Sequence, residues 1–366
     1  MRSALALLLV LVLGLAVAFT GCGETCSSEN TRGLGPRDCS SSADSGQTTG
    51  STGTGTSSGS GTGGATGSGQ LYVSQANAIL RFAGASALDG DVAPAAVIEG
   101  ADTRLSSPGF LFLDQSNDRL YVANTGGNNL LVYDQASTLN GNIPPTRVLE
   151  GPNTTLSGPV HAVLDSTRDA LYVSNPGRGA LLAFSNASGI QGDVAPVRTV
   201  TGTDTRLSSN GMLRLDGDRL YVANTGGSSV LVFDPASTAN GSPFPTRRLE
   251  GRNTRLSSPG AVELDVANNL YAANPTALLR FNPADTVDAD VAPAAVVEGS
   301  DTGLSGVGQI LIDGSGNLYL ANTGASNVLV FNSIVNASGN PFPSRRLSGA
   351  NTRLNGPTGI ALDPSR

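Results

Sequence analysis

A few polar side chains interrupt otherwise apolar stretches of this sequence, and these are where chemistry would be placed. Arg214 and Glu263 occupy equivalent positions in two related segments, MLRLD and AVELD, and His161 begins a third, HAVLD. A guanidinium, a carboxylate and an imidazole could together hold a substrate or transfer protons. The same residues also fit a structural ion pair and a hydrogen-bonded histidine, and both interpretations stay open.

A second group of cations recurs in loops of the form Asx-Thr-Arg-Leu. Thr155 and Gly303 stand at the corresponding positions of two further copies. Loops on a rigid frame commonly carry binding sites, so we predict a ligand-binding rim that contacts sugar hydroxyls or peptide groups. The alternative is that these side chains only bond to one another. The candidate arginines are Arg104, Arg206, Arg255 and Arg353.

The sequence contains few residues of the types that bind metal ions. The chain has one His and 3 Cys, the last of them Cys39, whereas catalytic zinc sites mostly take three ligands from His, Cys and carboxylates. Calcium takes carboxylate and carbonyl oxygens, which leaves the pairs Asp89/Asp91 and Asp288/Asp290 open as calcium ligands. Beyond these pairs we predict no metal site and no cofactor.

Composition excludes several classes of protein. The net charge of −7 argues against nucleic-acid binding, which needs a basic surface. Only 14% of residues are charged, and 47 Gly and 20 Pro are present, which disfavours a coiled coil or a large helical bundle.

Six repeats must position these side chains. A Leu-Tyr pair returns about every 50 residues, a period typical of propellers and solenoids. Each repeat contains four short β-rich runs bounded by Gly, Pro, Asn and Asp. The pairs begin at Leu71, Leu120, Leu171, Leu220, Leu270 and Leu318.

Four strands in each of six units predict an all-β, six-bladed β-propeller. Unit one lacks its innermost strand, and the chain ends in an unpaired one, Gly359–Asp363. We therefore expect the C-terminal strand to pair beside Leu71–Val73 and close the ring. The Asp that ends each innermost strand, and the Asn that follows the second strand in units two to six, suit structural roles in turns.

The repeats resemble those of the NHL family. The segment Ile310–Asn332, ILIDGSGNLYLANTGASNVLVFN, follows that family's pattern of strand, Asp, Gly-Asn turn, Leu-Tyr-x-Ala-Asn, Asn-Val and Val-Phe. The resemblance implies a six-bladed ring used for binding and sometimes for catalysis. It specifies the fold better than the function.

The units also alternate. Units one, three and five carry a Gly-Asp-Val-Ala-Pro type of loop, such as Asp89–Pro94, whereas even units carry Asn-Gly and prolines, such as Asn140–Pro145. The next loop has Asp102, Asp204 or Asp301 after odd units and Asn153, Asn253 or Asn351 after even units. We infer a two-blade block copied three times.

The N-terminus predicts export and lipid attachment. Arg2 precedes the apolar run Ala4–Phe19, which has the layout of a secretion signal. The sequence Phe-Thr-Gly-Cys, ending at Cys22, resembles a bacterial lipobox. That resemblance implies cleavage after residue 21, acylation of Cys22 with a palmitate-type chain, and a bilayer partner.

Residues 22–69 read as a flexible linker rich in Gly, Ser and Thr, and residues 70–366 as the propeller. Cys26 and Cys39 in the linker either form a disulfide or remain free thiols. By analogy Gly23 favours the outer membrane of a two-membrane cell envelope.

The function predicted from the sequence is a lipid-anchored, monomeric binding or scaffold protein outside the cytoplasm. Its partner would be a protein or glycan, and no catalytic set of residues is evident. The alternative is an enzyme that resembles lactonase or lyase propellers and acts at the channel mouth through Glu263, Arg214 or His161. Such an enzyme could also use a divalent cation.

Overall fold

The computed structural model describes residues 67–366. The predicted signal peptide, Cys22, Cys26 and Cys39 lie outside the described residues, as does nearly all of the predicted linker. The described chain forms six antiparallel sheets of four strands each, arranged as a six-bladed β-propeller. This confirms the predicted fold. Runs of Val, Leu, Ile and Tyr form the strands, and Gly, Asn and Asp occupy the turns.

Each blade, numbered I to VI along the chain, has its first strand at the channel and its fourth at the outside. Blade I is the exception, because its inner strand comes from the C-terminus. The strands of blades I to III are β1 (Gln70–Gln75), β2 (Ala78–Ala83), β3 (Ala96–Glu99), β4 (Pro108–Asp114), β5 (Arg119–Asn124), β6 (Asn129–Asp134), β7 (Arg147–Leu149), β8 (His161–Asp165), β9 (Ala170–Asn175), β10 (Ala180–Ser185) and β11 (Arg198–Val200).

The second half of the ring repeats this order. Blades IV to VI contain β12 (Asn210–Asp216), β13 (Arg219–Asn224), β14 (Ser229–Phe233), β15 (Arg247–Leu249), β16 (Ala261–Leu264), β17 (Leu270–Asn274), β18 (Ala277–Phe281), β19 (Ala295–Glu298), β20 (Val307–Ile312), β21 (Leu318–Asn322), β22 (Asn327–Phe331) and β23 (Arg345–Leu347), and β24 (Gly359–Asp363) completes blade I.

Strand β24 closes the ring as the sequence predicts. It pairs antiparallel with β1, with Leu362 opposite Leu71 and Ile360 opposite Val73. The last strand thereby provides the innermost position of the first blade. Closure in this way completes blade I as a four-stranded sheet, so that all six blades have the same short inner edge at the channel.

The hydrophobic core lies between the blades rather than in one centre. The cluster between blades I and II, for example, joins Tyr72 and Ile98 to Leu111, Val122 and Tyr133. Five further clusters of the same kind complete the circle. Each blade is therefore held by burial against both neighbours, which makes the ring one cooperative unit.

The propeller has two faces, which carry different loops. One face carries the turns after the second strands, which begin at residues such as Asn124, and also the loops that connect successive blades; we call it the Asn face. We call the Asp face the one that carries the turns after the inner strands, beginning at residues such as Asp313. The antiparallel strand order places these loop types at opposite ends of the strands.

Candidate functional site

The central channel contains a cup that opens on the Asp face. Its volume is about 340 Å³, and Gln115, Asp313, Gly314 and Pro364 stand at its mouth. The wall is formed by the residue that lies two positions before the recurrent Asp of every inner strand, as period-two alternation of the strands requires. These residues are Phe112, Val163, Arg214, Glu263, Leu311 and Ala361.

Backbone contacts between neighbouring inner strands narrow the channel toward the Asn face. The amide of Phe110 donates to Val160 O at 2.8 Å, and the equivalent bonds from Met212 and Gln309 measure 3.0 Å. All three donors lie in even blades, where β4, β12 and β20 carry a bulge in their pairing. A bulge takes residues out of their own ladder, so their amides are available to the next blade. The bulges give the ring a three-fold pattern.

Two polar side chains form the floor of the cup. Gln309 Oε1 accepts hydrogen bonds from the amides of Leu111 and Ile360, both at 2.9 Å, and its Nε2 donates to Leu111 O. His161 Nδ1 accepts from the amide of Leu213 at 3.1 Å, and Phe110 packs edge-on against the imidazole. Gln309 therefore connects three blades across the channel, a role that its sequence position did not reveal.

The imidazole of His161 is held neutral. Burial lowers the pKa of His161 to about 4, although its contacts with the backbone at Leu111 and Leu213 oppose the shift. Since Nδ1 accepts a hydrogen bond, the proton resides on Nε2. This buried atom has no hydrogen-bond partner among residues 67–366. The geometry fits the interblade hydrogen-bonding role that the sequence left open for His161.

Arg214 and Glu263 form an ion pair in the channel wall. Arg214 Nε lies 2.9 Å from Glu263 Oε1, with the arginine side chain 40% exposed and the carboxylate 4% exposed. Its N–H is not aligned well enough to be a hydrogen bond, so the attraction is mainly coulombic. Burial raises the pKa of Glu263, and Arg214 together with the amide of Leu264 counteracts the rise.

The candidate rim arginines lie on the Asn face, each in a left-handed backbone conformation. All four have φ of 59° or 60°. Arg104, Arg206 and Arg353 cap short 3₁₀ helices, whereas Arg255 ends a simple turn. Three of them pair with a glutamate that ends, or directly follows, the fourth strand of the next blade. The pairs are Arg104–Glu150, Arg255–Glu298 and Arg353–Glu99.

Arg206 differs from the other three. In its blade the equivalent glutamate, Glu250, pairs with Arg248 at 3.2 Å. Arg206 makes no ion pair within the described part of the chain. It lines an open outer groove beside the exposed side chain of Phe244.

The alternation of Asp and Asn has a structural cause. The long loop before each fourth strand reaches the Asn face, where one side chain binds the loop that leads into its own blade. Asp193 Oδ1 accepts from the amide of Asn153 at 2.7 Å, and Asn153 Nδ2 donates to Asp193 Oδ2 at 2.9 Å. We call these contacts rim contacts; they are Asp102–Asn142, Asn153–Asp193, Asp204–Ser242, Asn253–Asp290, Asp301–Asn340 and Asn351–Asp91.

No rim contact opposes two carboxylates. The carboxylates that the sequence offered to calcium are used by the protein itself: Asp91 and Asp290 make rim contacts, and Asp89 accepts from the amide of Arg346 at 2.8 Å. Among residues 67–366 no group of three or more His, Cys, Asp or Glu side chains is arranged to hold a metal ion.

The Asp at the end of the inner strand and the Asn at the end of the second strand, which Gln75 replaces in blade I, serve turns in most blades. Asp313 accepts from the amides of Ser315 and Asn317, both at 2.9 Å. Asn124 accepts from the amide of Ser106 and donates to Arg104 O. The second contact ties the turn after a second strand to the interblade loop, so both belong to one face. The rim arginines and the open cup therefore lie on opposite faces of the ring.

Comparison with known proteins supports the fold alone. No family model matches the chain, and no curated protein matches its sequence. A chain in the crystal structure of a nidogen/laminin complex superposes with a TM-score of 0.57 at 14% identity, over 80% of this chain and 98% of that one. A functionally unknown protein from Desulfotomaculum acetoxidans DSM 771 gives a TM-score of 0.54 at 12% identity, over 82% and 100%. No helix within residues 67–366 is long and apolar enough to cross a membrane.

Proposed function

We propose that this protein is a binding or scaffold lipoprotein that displays its propeller outside the cytoplasm of a bacterium, with the outer membrane favoured. The NHL-like repeats, the lipobox-like sequence ending at Cys22 and the Gly/Ser/Thr-rich stretch before residue 70 support this proposal. The Asn face would present its loops to a protein or glycan. We propose that the protein acts as a monomer.

The observation that carries the proposal is the construction of the Asn face. Six interblade loops are fixed in similar conformations by the rim contacts, and four of them project an arginine. Loops held in one conformation lose little entropy on binding, which favours affinity. Arg206, which lacks an ion pair within the described chain, has its guanidinium donors available for a carbonyl, hydroxyl or carboxylate of a partner.

Partner capture by the full chain tests this surface. Alanine replacement of Arg104, Arg206, Arg255 and Arg353 together should reduce crosslinking to envelope proteins and signals on a glycan array. Thermal unfolding should show that the ring remains folded. Arg168→Ala, in the turn after inner strand β8 on the Asp face, is the matched control. Unchanged partners in the fourfold variant would contradict a binding role for this face.

Lipid attachment has its own test. Metabolic labelling with a palmitate analogue should mark the wild-type chain, and Cys22→Ser should abolish both the label and recovery in the membrane fraction. Labelling that persists in Cys22→Ser would show that the anchor, if any, is elsewhere.

An enzyme acting at the channel mouth is the alternative, and one observation favours it. Glu263 is a buried carboxyl group with a raised pKa beside a cation, an arrangement also found at catalytic sites. Glu263→Gln keeps the shape of the side chain and removes its acid–base chemistry. If the wild type hydrolyses a lactone and this variant does not, the result supports the enzyme. If neither protein hydrolyses it, or both do so equally, the result contradicts an enzyme that depends on Glu263.

A further inference from the structure

The cup in the channel has the dimensions and lining of a small-molecule site. Its volume of about 340 Å³ lies at the lower end of the range for ligand pockets. Slightly more than half of its accessible surface is hydrocarbon, and Phe112, Val163, Leu311 and Ala361 contribute to it. The floor is occupied by His161 and Gln309, so a ligand enters from the Asp face and stops there.

Most polar groups of the cup are already used within the protein. Gln309 holds the backbone of blades I and II, and Gln115 at the mouth donates to Leu362 O at 3.0 Å. Asp313 is bonded to its own turn. These groups shape the cup and offer a ligand little hydrogen bonding.

The ion pair on the wall is different, because it has both a donor and an acceptor to spare. The terminal N–H groups of Arg214 make no hydrogen bond within residues 67–366, and the side chain is 40% exposed. Glu263 uses Oε1 for Arg214 and the amide of Leu264, whereas Oε2 makes none of the hydrogen bonds in the described chain. A free donor and a free acceptor thus stand side by side on an otherwise apolar wall.

Charge decides which head group fits this pair. A carboxylate would be attracted by Arg214 and repelled by Glu263, and an ammonium group would meet the reverse. A carboxamide is neutral and presents a C=O acceptor to Arg214 together with an N–H donor to Glu263. We propose that the channel cup binds a small uncharged amide that carries an apolar body.

A matched ligand series tests the proposal directly. Octanamide, octanoate and octylammonium share a chain and differ in the charge of the head group. The full chain would be prepared with Cys22→Ser, so that no acyl group or detergent competes for these amphiphiles. Binding is measured by calorimetry and by saturation-transfer NMR. We expect octanamide to bind at least about tenfold more tightly than either ion.

Variants then locate the site. Glu263→Gln removes the repulsion of octanoate, whose affinity should rise to within about threefold of that for octanamide. Ala361→Leu and Val163→Phe fill the cup from two different blades, and each should weaken octanamide binding by at least about tenfold. Arg346→Met, far from the channel on β23, should leave binding unchanged. Thermal unfolding confirms that each variant is folded.

Equal affinity for the three ligands, or octanamide binding that survives both filling variants, would overturn the proposal. The inference does not depend on the rim proposed as the partner surface, which lies on the Asn face. A variant that loses partner capture but still binds octanamide, or one that loses octanamide binding but still captures partners, would show that the two proposals are independent.

Discussion

Exchanging the side chains of Asp102 and Asn142 tests whether the rim contacts stabilise the ring. Asn142 Oδ1 accepts from the amide of Asp102, and Asn142 Nδ2 donates to Asp102 Oδ2, each at 2.8 Å. Asn142→Asp preserves the acceptor for the amide but places two carboxylates in contact. The lost hydrogen bond costs about 1 kcal/mol, and repulsion of exposed charges about 4 Å apart adds about 1 kcal/mol. We expect a loss of about 2 kcal/mol in the free energy of unfolding.

The double variant Asp102→Asn/Asn142→Asp exchanges the two side chains and restores a carboxylate opposite an amide. Its stability should lie within about 0.5 kcal/mol of the wild type, so the two single changes are strongly non-additive. Urea unfolding at pH 7 measures these values. If the double variant is as unstable as Asn142→Asp, complementarity does not explain the alternation.

Two further predictions concern the channel. The single His allows a direct NMR titration, in which the His161 ring should titrate near pH 4. Its pKa in the folded protein lies below the unfolded value of about 6.5. The neutral ring therefore contributes up to about 3 kcal/mol of stability above pH 6.5, and this contribution should disappear as the pH falls toward 4. A His161→Gln variant should lack that slope, and a ring that titrates near 6.5 would contradict the burial argument. Gly211→Ala should destabilise the ring by about 1–3 kcal/mol in urea unfolding, because a Cβ there would lie 2.4 Å from Gly260 O. Gly314→Ala, which has open space around its Cβ, is the control, and equal stability of the two variants would show that the inner strands move apart freely.

The sequence predicts the ring because the repeat carries most of the information. The six Leu-Tyr pairs fix the second strands, and the unpaired run Gly359–Asp363 can only supply the missing inner strand of blade I. The alternating residues of the inner strands likewise predict which side chains line the channel. Every residue two positions before the recurrent Asp, from Phe112 to Ala361, lines the cup as this alternation requires.

The interactions that the sequence does not reveal join residues from different repeats. Asp193 and Asn153 are 40 positions apart, and their contact depends on how far the long loop of blade III extends along the neighbouring blade. The alternation of Asp and Asn was visible in the sequence, but its partner residues were not. Gln309 is a similar case, since its bonds reach Leu111, which is 198 positions away. Local patterns predict elements, whereas these contacts require the assembled ring.

The rim contacts also constrain the number of blades. In four of the six rim contacts a carboxylate accepts from a side-chain amide, and the seam between blades VI and I, Asn351–Asp91, is one of them. At Asp204 and Asp301 the backbone amide alone donates to the partner side chain. A ring with an odd number of blades would bring two like loops together at the seam, with either two carboxylates or none. Only an even ring satisfies every contact. The outer rim is therefore constrained by its neighbours, whereas a wall residue such as Arg214 or Glu263 can depart from the repeat without disturbing any rim contact. That difference explains why the least symmetric chemistry of this propeller lies inside its channel.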